Sequence, residues 1–145
     1  MRKFKIVSIN VSDKKGEKKR PVPEGVLQEN YGIIGDAHAG DWHRQVSLLA
    51  EEDINTMIEK GAKVSYGDFA ENLTTEGIDL AELPIGTNLY IGETILEVTQ
   101  IGKECHSHCL IFQQVGDCVM PKKGIFTKVL KGGVINNESN CYYNI

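Results

Sequence analysis

Frequent turn residues divide this chain into short segments. Its 145 residues include 15 glycines and 4 prolines, which are residues that interrupt regular structure. Several segments between them alternate apolar and polar residues, the pattern of a strand with one buried face. The sequence therefore favours a β-rich fold over a bundle of helices.

The first candidate strand lies near the start of the chain. It carries Val7, Ile9 and Val11 at alternate positions. Phe4 and Ile6 lie on the opposite parity, which predicts a strand partly buried on both faces. Further strands are predicted near residues 26–27 and at residues 45–49, 72–75, 88–91, 94–101, 124–130 and 132–135. These patterns amount to about seven or eight short strands.

Only one segment has clear helical spacing. Ile54, Met57 and Ile58 recur at this spacing within residues 50–60, which predicts a helix. Residues 110–115 form a shorter candidate helix. Because strands and helices do not alternate strictly, we predict a mainly β fold with minor α structure, namely a mixed, mostly antiparallel β-barrel with one clear helix.

The length and charge of the chain limit its class. Residues 1–145 have the size of a single domain, and such a domain can bury a core without disulfides or a structural metal. The formal net charge is -4, from 16 basic and 20 acidic residues. No overall positive field therefore draws the protein to nucleic acid or to an anionic membrane. The charged segment at residues 13–20 has no apolar residue and predicts a solvated hairpin tip.

The sequence also bears on the compartment. No run of about 18 apolar residues occurs, and the start MRKFKIVSINVSDKK returns to charged residues too early for a signal peptide. We therefore expect a cytoplasmic protein with neither a nucleic-acid nor a membrane partner. In such a reducing compartment, its four cysteines are expected to be thiols rather than disulfides.

Cysteine and histidine are concentrated in one short segment, CHSHC at residues 105–109, and Cys118 follows. Thiolate and imidazole both serve as nucleophiles and as metal ligands. The spacing lacks the paired Cys-x-x-Cys of common zinc sites. The segment is therefore consistent with two alternatives, a metal site with zinc as the candidate ion and a metal-free function. The ligands of the metal site would be Cys105, Cys109, Cys118 and His106.

Cys105 is the strongest candidate nucleophile in this segment. It follows a predicted strand end and lies beside Lys103 and His106, and neighbouring cations lower the pKa of a thiol. A thiolate there could accept, hold or transfer sulfur, or bind a soft metal. Cys118 and Cys141 also fit the alternative of free cysteines that pack as small apolar residues.

A second cluster lies in the glycine-rich segment GDAHAGDWHR at residues 35–44, which contains His38, Trp42, His43 and Arg44. The glycines allow backbone amides to face an anion, and Arg44 offers a planar fork for phosphate or carboxylate. The competing interpretation is a rigid turn with Arg44 in a structural salt bridge.

Four segments, in order along the chain, resemble the MOSC domain family, named for the C-terminal domain of molybdenum cofactor sulfurase. They are GDAHAG-x-x-HRQVSLL, GDFAENLTTEGIDLAELPIG, LEVTQIGKECHSHC and GDCVMPKKGIFTKVL. The resemblance runs from about residue 8 to residue 135 and is to the small stand-alone bacterial type.

The resemblance implies a barrel-like β fold with an essential cysteine that carries sulfur or helps to assemble metal-sulfur centres. By its position after the VTQ strand, that cysteine corresponds to Cys105. Larger relatives bind the pterin cofactor through basic residues at its phosphate, a role that falls by analogy on Arg44. The resemblance also makes His38, His43 and Cys118 candidates for cofactor binding.

The resemblance therefore implies a protein that binds the molybdenum cofactor (molybdopterin) and carries or transfers sulfur on Cys105 during cofactor maturation, with a sulfurtransferase-type activity. The chain lacks the pyridoxal-phosphate domain of the sulfurases, so pyridoxal phosphate would act only in a partner, a cysteine desulfurase or a molybdenum cofactor synthesis enzyme. Two alternatives stay open: a non-catalytic metal-binding module, and a docking partner of a cofactor-synthesis enzyme. We expect Cys105, Cys109 and Cys118 to approach one another near the barrel mouth, with Arg44 facing the same cleft.

Overall fold

The computed structural model describes residues 1–15, 17–103 and 120–144, apart from the side chains of residues 120 and 121. Its strands are β1 (Arg2–Val11), β2 (Arg20–Val22), β3 (Glu24–Gln28), β4 (Gly32–Ile33), β5 (Val46–Ala50), β6 (Leu73–Glu76), β7 (Asn88–Ile91), β8 (Thr94–Ile101), β9 (Ile125–Lys131), β10 (Gly133–Asn136) and β11 (Cys141–Tyr143). The helices are α1 (Glu51–Glu59) and α2 (Met120–Lys123), with a 3₁₀ turn at Leu80–Glu82. The predicted helix at residues 110–115 lies outside the described residues.

Seven of the described strands close into a barrel. Around it the order is β1, β6, β5, β9, β8, β7 and β11, and β11 pairs back with β1. Every neighbouring pair is antiparallel except β5 and β6. Those two parallel strands need a crossover connection, which α1 supplies. The predicted mixed, mostly antiparallel β-barrel with one clear helix is confirmed.

The apolar pattern of β1 reflects a β-bulge. Phe4 and Ile6 belong to the barrel core, the register against β6 shifts between Ile6 and Ser8, and Ile9 and Val11 then take the inward positions. An extra residue at a bulge moves every following side chain of the strand to the opposite face of the sheet. Ser8 is also buried, so this part of the strand is covered on both faces, as its sequence predicts.

Helix α1 covers part of the barrel's outer surface. Ile54 and Met57 pack with Leu49, Phe69 and Phe126 in a second apolar cluster. Burial of each such side chain stabilises the fold by roughly 1.5–3 kcal/mol. The helix predicted at residues 50–60 is confirmed, but Ile58, which its spacing places near the apolar face, is 46% exposed.

A small second sheet, β10-β3-β4, completes the described fold. The strands predicted at residues 124–130 and 132–135 are present as β9 and β10. β10 pairs with β3. Gly132 lies between β9 and β10, and a Cβ at this position would lie 2.4 Å from the carbonyl oxygen of Leu27 in β3. Only glycine fits at that approach.

No helix in the described ranges is both long and apolar enough to cross a membrane.

Candidate functional site

The glycine-rich loop at residues 34–45 bridges the ends of two barrel strands. At the end of β1, the amide of Ala37 donates to the carbonyl of Ser12 at 2.9 Å, and the amide of Ser12 donates to Asp36 Oδ1 at 3.1 Å. Near the end of β8, Arg44 Nε donates to Gln100 Oε1 at 3.2 Å. The barrel therefore holds both ends of the segment that carries His38, His43 and Arg44.

Lys19 and Asp36 form a buried ion pair beneath this loop. Lys19 Nζ lies 2.7 Å from Asp36 Oδ1, and the exposed fraction of both side chains is 0%. Desolvation alone would raise the pKa of Asp36, but the hydrogen bond and charge of Lys19, together with the amide of Ser12, hold that pKa below its ordinary value. Asp36 is therefore a carboxylate, matched by the positive charge of Lys19.

The ammonium of Lys19 has three hydrogen-bond partners within the described ranges. They are Asp36 Oδ1 at 2.7 Å, Ser12 Oγ at 3.0 Å and His38 Nδ1 at 3.0 Å. Desolvation and then the positive charge of Lys19 lower the pKa of His38. The half-buried imidazole is therefore neutral at pH 7.

Gly67 allows the backbone of Lys19 to be held tightly. The amide of Lys19 donates to the carbonyl of Gly67 at 2.9 Å. Gly67 has φ +89°, and a Cβ at this position would lie 2.1 Å from the carbonyl oxygen of Lys19. Any other residue would push the loop away from Lys19.

Gln100 joins His43 and Arg44 into a second group. Its Nε2 donates to the carbonyl of Gly102 at 2.8 Å, which directs Oε1 toward the loop. There Oε1 accepts from His43 Nε2 at 2.9 Å and from Arg44 Nε at 3.2 Å. The guanidinium of Arg44 also lies over the ring of Phe126, 4.9 Å from its centroid. The hydrogen bond to Gln100 and the contact with Phe126 therefore fix the plane of the guanidinium. The bond to Gln100 uses Nε and does not involve the terminal nitrogens of Arg44.

No carboxylate of the described residues pairs with Arg44. The alternative of a structural salt bridge at Arg44 is thus not found in that part of the chain. A half-buried guanidinium without a carboxylate partner is suited to an external anion.

Trp42 connects the two groups. Its Nε1 donates to the carbonyl of His38 at 2.8 Å, and its ring lies edge-on to that of His43 with centroids 6.0 Å apart. Lys15 Nζ lies over the indole, 4.9 Å from the ring centroid. Trp42 therefore fixes the backbone at His38 and holds a cation from the β1–β2 hairpin at the same place.

The end of β8 also approaches this region. The charge of Lys103, like that of Lys15, lowers the pKa of His38. The amide of Gly102 donates to the carbonyl of Gly124 at 2.7 Å, which ties the end of β8 to the start of β9. The chain thus enters the segment at residues 104–119 from a point within electrostatic range of His38.

The cysteine-rich cluster falls within that segment. The predicted site residues Cys105, His106, Cys109 and Cys118 lie outside the described residues, so their expected approach to Arg44 stays a prediction. In the part of the chain that is described, no three Cys, His, Asp or Glu side chains are grouped to hold a metal ion.

A model of the MOSC domain matches residues 35–139. The chain belongs to the MOSC domain family. The match contains residues 35–45 of the loop, which include His38, His43 and Arg44, together with β8 and the cysteine-rich segment. The family predicted from the four motifs is confirmed, whereas Lys19 lies before the matched region.

Solved structures have the same fold as this MOSC domain. The YuaD protein from Bacillus subtilis has a TM-score of 0.74 and 16% identity over 96% of this chain and 94% of its own. YiiM from Geobacillus stearothermophilus has a TM-score of 0.71 and 20% identity, covering 98% of this chain and 75% of its own. YiiM from Escherichia coli has a TM-score of 0.66 and 16% identity, covering 100% of this chain and 70% of its own. No curated protein sequence matches the chain.

Two residues of this MOSC domain were not anticipated from sequence. Lys19 lies in the charged segment predicted to be a solvated hairpin tip, and the hairpin is present, but Lys19 is only 3% exposed. Nothing distinguishes it in the sequence from Lys14, Lys15 or Lys18. One feature of the sequence could have identified Gln100 as a site residue, namely its place in the strand that leads to Cys105.

Proposed function

We propose that this MOSC domain binds the phosphate-bearing pterin of the molybdenum cofactor and carries sulfur on Cys105 during cofactor maturation. The observation that carries the proposal is the group built on Gln100. This side chain holds Arg44 and His43 together five residues before Cys105 in the chain. An anion-binding group and a candidate nucleophile are thus linked through the same strand, β8.

The charge and geometry of Arg44 support phosphate as the bound group. Its Nε is engaged by Gln100 and its plane is stacked on Phe126, so the guanidinium loses little further freedom when it binds. Its terminal nitrogens can then make two parallel hydrogen bonds to phosphate oxygens. Exposed His43 stands beside it on the same acceptor. The residues present therefore fit a phosphate-bearing ligand.

The sulfur step requires Cys105 as a thiolate. Its sulfur attacks the outer sulfur of a persulfide on a cysteine desulfurase, the sulfur-sulfur bond of the donor breaks, and the donor leaves as a thiolate. Cys105 then holds the transferred sulfur as a persulfide, and no external electrons are needed. Lys103 precedes Cys105 by two residues, which span at most about 7 Å. Its charge favours the thiolate.

Mass spectrometry of the intact protein tests this function. The protein is incubated with cysteine and a cysteine desulfurase, and we expect a mass increase of one sulfur atom that a reductant removes. Cys105→Ser should lose the added sulfur, whereas Cys141→Ser, which changes a buried thiol in β11, should retain it. An added sulfur that persists in Cys105→Ser would contradict the proposal.

Metal analysis addresses the alternative of a metal-binding module. Protein purified without chelator that contains stoichiometric zinc, and that accepts no sulfur, would favour a metal-binding module on Cys105, Cys109, Cys118 and His106. Sulfur transfer to zinc-free protein would instead support the sulfur carrier.

A further inference from the structure

We propose that His38, together with Lys15 and Lys103, binds an oxyanion through its Nε2–H group, and that Lys19 is the positioning residue that fixes this form of the imidazole. The inference extends the proposed function. Only the identity of the natural ligand rests on that function. The chemistry of the site requires only a phosphate-like or molybdate-like oxyanion.

The first step follows from the count of hydrogen atoms on Lys19. An ammonium has three N–H donors and no acceptor. Lys19 Nζ makes its three contacts with Asp36, Ser12 and His38. Nδ1 of His38 must therefore accept, so its lone pair faces Lys19. The single hydrogen of the neutral ring is then on Nε2.

The second step concerns protonation of the ring. A hydrogen on Nδ1 would point at the ammonium of Lys19, only 3.0 Å away. Lys15 and Lys103 also disfavour a positive imidazole, while Asp36 favours it. Asp36 is already paired with Lys19 at 2.7 Å. The neutral ring with hydrogen on Nε2 is the form that the charges of Lys19, Lys15 and Lys103 favour, and the pKa of His38, lowered first by desolvation, agrees with it.

The third step concerns the direction of Nε2. The two ring nitrogens point to different sides of an imidazole, so when Nδ1 faces the buried ion pair, Nε2 faces away from it. His38 is half-buried, and no described residue accepts a hydrogen bond from its Nε2. A donor of this kind suits a ligand that supplies an acceptor.

The fourth step identifies the charge of that ligand. Lys15 is held over Trp42, whose Nε1 is bonded to the carbonyl of His38. Lys103 acts on His38 from the end of β8. Among the described groups that act on the ring, Asp36 is the one carboxylate, and Lys19 neutralises it. An oxyanion would meet one directed N–H donor and two cations there.

Nitrogen NMR of the wild-type imidazoles tests the tautomer without any substitution. We expect His38 to show hydrogen on Nε2 and to titrate below pH 6.5, the ordinary pKa of histidine. A ring with hydrogen on Nδ1, or one that titrates at its ordinary pKa, would overturn the proposal. Exposed His43 provides the internal comparison.

Substitution of Lys19 tests its positioning role. In Lys19→Met the pKa of His38 should rise and both tautomers should be populated. The double variant Lys19→Met/Asp36→Asn leaves no unpaired carboxylate. In it the pKa of His38 should still rise above that of the wild type, but by less than in Lys19→Met. A double variant that is folded and retains the wild-type tautomer and pKa would assign the form of His38 to burial alone and overturn the role of Lys19.

Titration with inorganic phosphate, and separately with molybdate, tests the oxyanion. We expect a saturable shift of the His38 resonances, and the tighter anion identifies the group that the site favours. Lys15→Gln and Lys103→Gln should each weaken binding about two- to fivefold, the range for a partly exposed charge. Lys5→Gln, on β1 away from the loop, should not.

Two results would contradict the site. One is the absence of any anion-induced shift at His38, and the other is equal weakening by Lys5→Gln. Neither depends on Cys105 or on sulfur transfer, so failure of this site and failure of the sulfur-carrier function are observed separately.

Discussion

The ammonium of Lys19 lies 2.7 Å from the carboxylate of Asp36, and neither side chain is exposed to solvent. Removal of one partner from such a pair leaves the other as a buried, unmatched charge. That loss costs about 3–5 kcal/mol, although a well-packed neutral replacement of both partners can be close to neutral.

Lys19→Met should therefore lower the free energy of unfolding at pH 7 by about 3–5 kcal/mol, and Lys19→Met/Asp36→Asn by clearly less. Urea denaturation measures both. Because the folded-state pKa of Asp36 is lowered, its contribution is present above the ordinary pKa of an aspartate and is lost as the pH falls through the lowered value. Asp36→Asn should abolish this acid dependence, and equal destabilisation by the single and double variants would contradict the pairing argument.

Glu71 should make the opposite contribution to the pH dependence of stability. Burial raises its pKa, its Oε2 accepts from the amide of Gly67 and the hydroxyl of Thr74, and its Oε1 has no partner among the described groups. Its folded-state pKa exceeds the ordinary value, so its contribution is fully present below that value and is lost as the pH rises through the raised one. Glu71→Gln should remove this loss in denaturation measured from pH 4 to pH 8. Glu76→Gln, at the exposed end of β6, should behave as wild type.

Arg44→Ala should weaken phosphate-bearing pterin binding about ten- to a hundredfold, because a charge-assisted hydrogen bond contributes about 1.5–3 kcal/mol. Arg44→Lys should recover only part of the affinity, since an ammonium lacks the two-pronged geometry. Calorimetric titration measures the series. Exposed Arg20, which pairs with Asp13 at 3.4 Å, provides the control variant Arg20→Ala. Equal affinity of wild type and Arg44→Ala would remove Arg44 from the binding site.

Cys105 should react with limiting iodoacetamide before Cys141 at pH 7. Desolvation raises the pKa of Cys141 to about 11, so its thiolate fraction at pH 7 is negligible. Peptide mapping of the labelled native protein measures the order, and unfolding in urea should expose Cys141. Earlier labelling of Cys141 would remove the proposed nucleophile. Labelling of Cys105 that zinc blocks and a chelator restores would favour the metal-binding alternative.

Gly67→Ala should be far more destabilising than Gly61→Ala. Both glycines have positive φ, +89° and +101° respectively, but a Cβ at Gly67 would meet the carbonyl of Lys19 at 2.1 Å, whereas Gly61 has open space. The Gly61 variant should lose only about 1–2 kcal/mol for its backbone strain. Urea denaturation of the two variants separates the contact from the shared strain, and similar losses would show that the contact carries little energy.

Six of the seven barrel strands described, together with α1, could be predicted because each depends on a local pattern. The alternation in β8 and the helical spacing of Ile54 and Met57 arise from burial of one face. Short strands such as β4 and β11 have too few residues for a period to be detected. β11 also pairs with β1 and β7, which are distant in sequence. Its position therefore depends on the closed sheet rather than on its own residues.

The site was predictable only in part, for a related reason. The glycine-rich loop and Arg44 stand out by composition, but the burial of Lys19 is created by residues far along the chain. Its ammonium is covered through contacts with Asp36 and His38, and its backbone is held by Gly67. A single lysine in a charged hairpin carries no local mark of such an environment.

Closure of the barrel by β11 has a consequence for biosynthesis. β11 lies between β1 and β7 and pairs with both, so these two strands leave the ribosome well before β11, which pairs with them. Until then their edges present unpaired amides and carbonyls that can pair with another chain. A nascent chain halted before Cys141 should accordingly be a better substrate for chaperones than the completed domain.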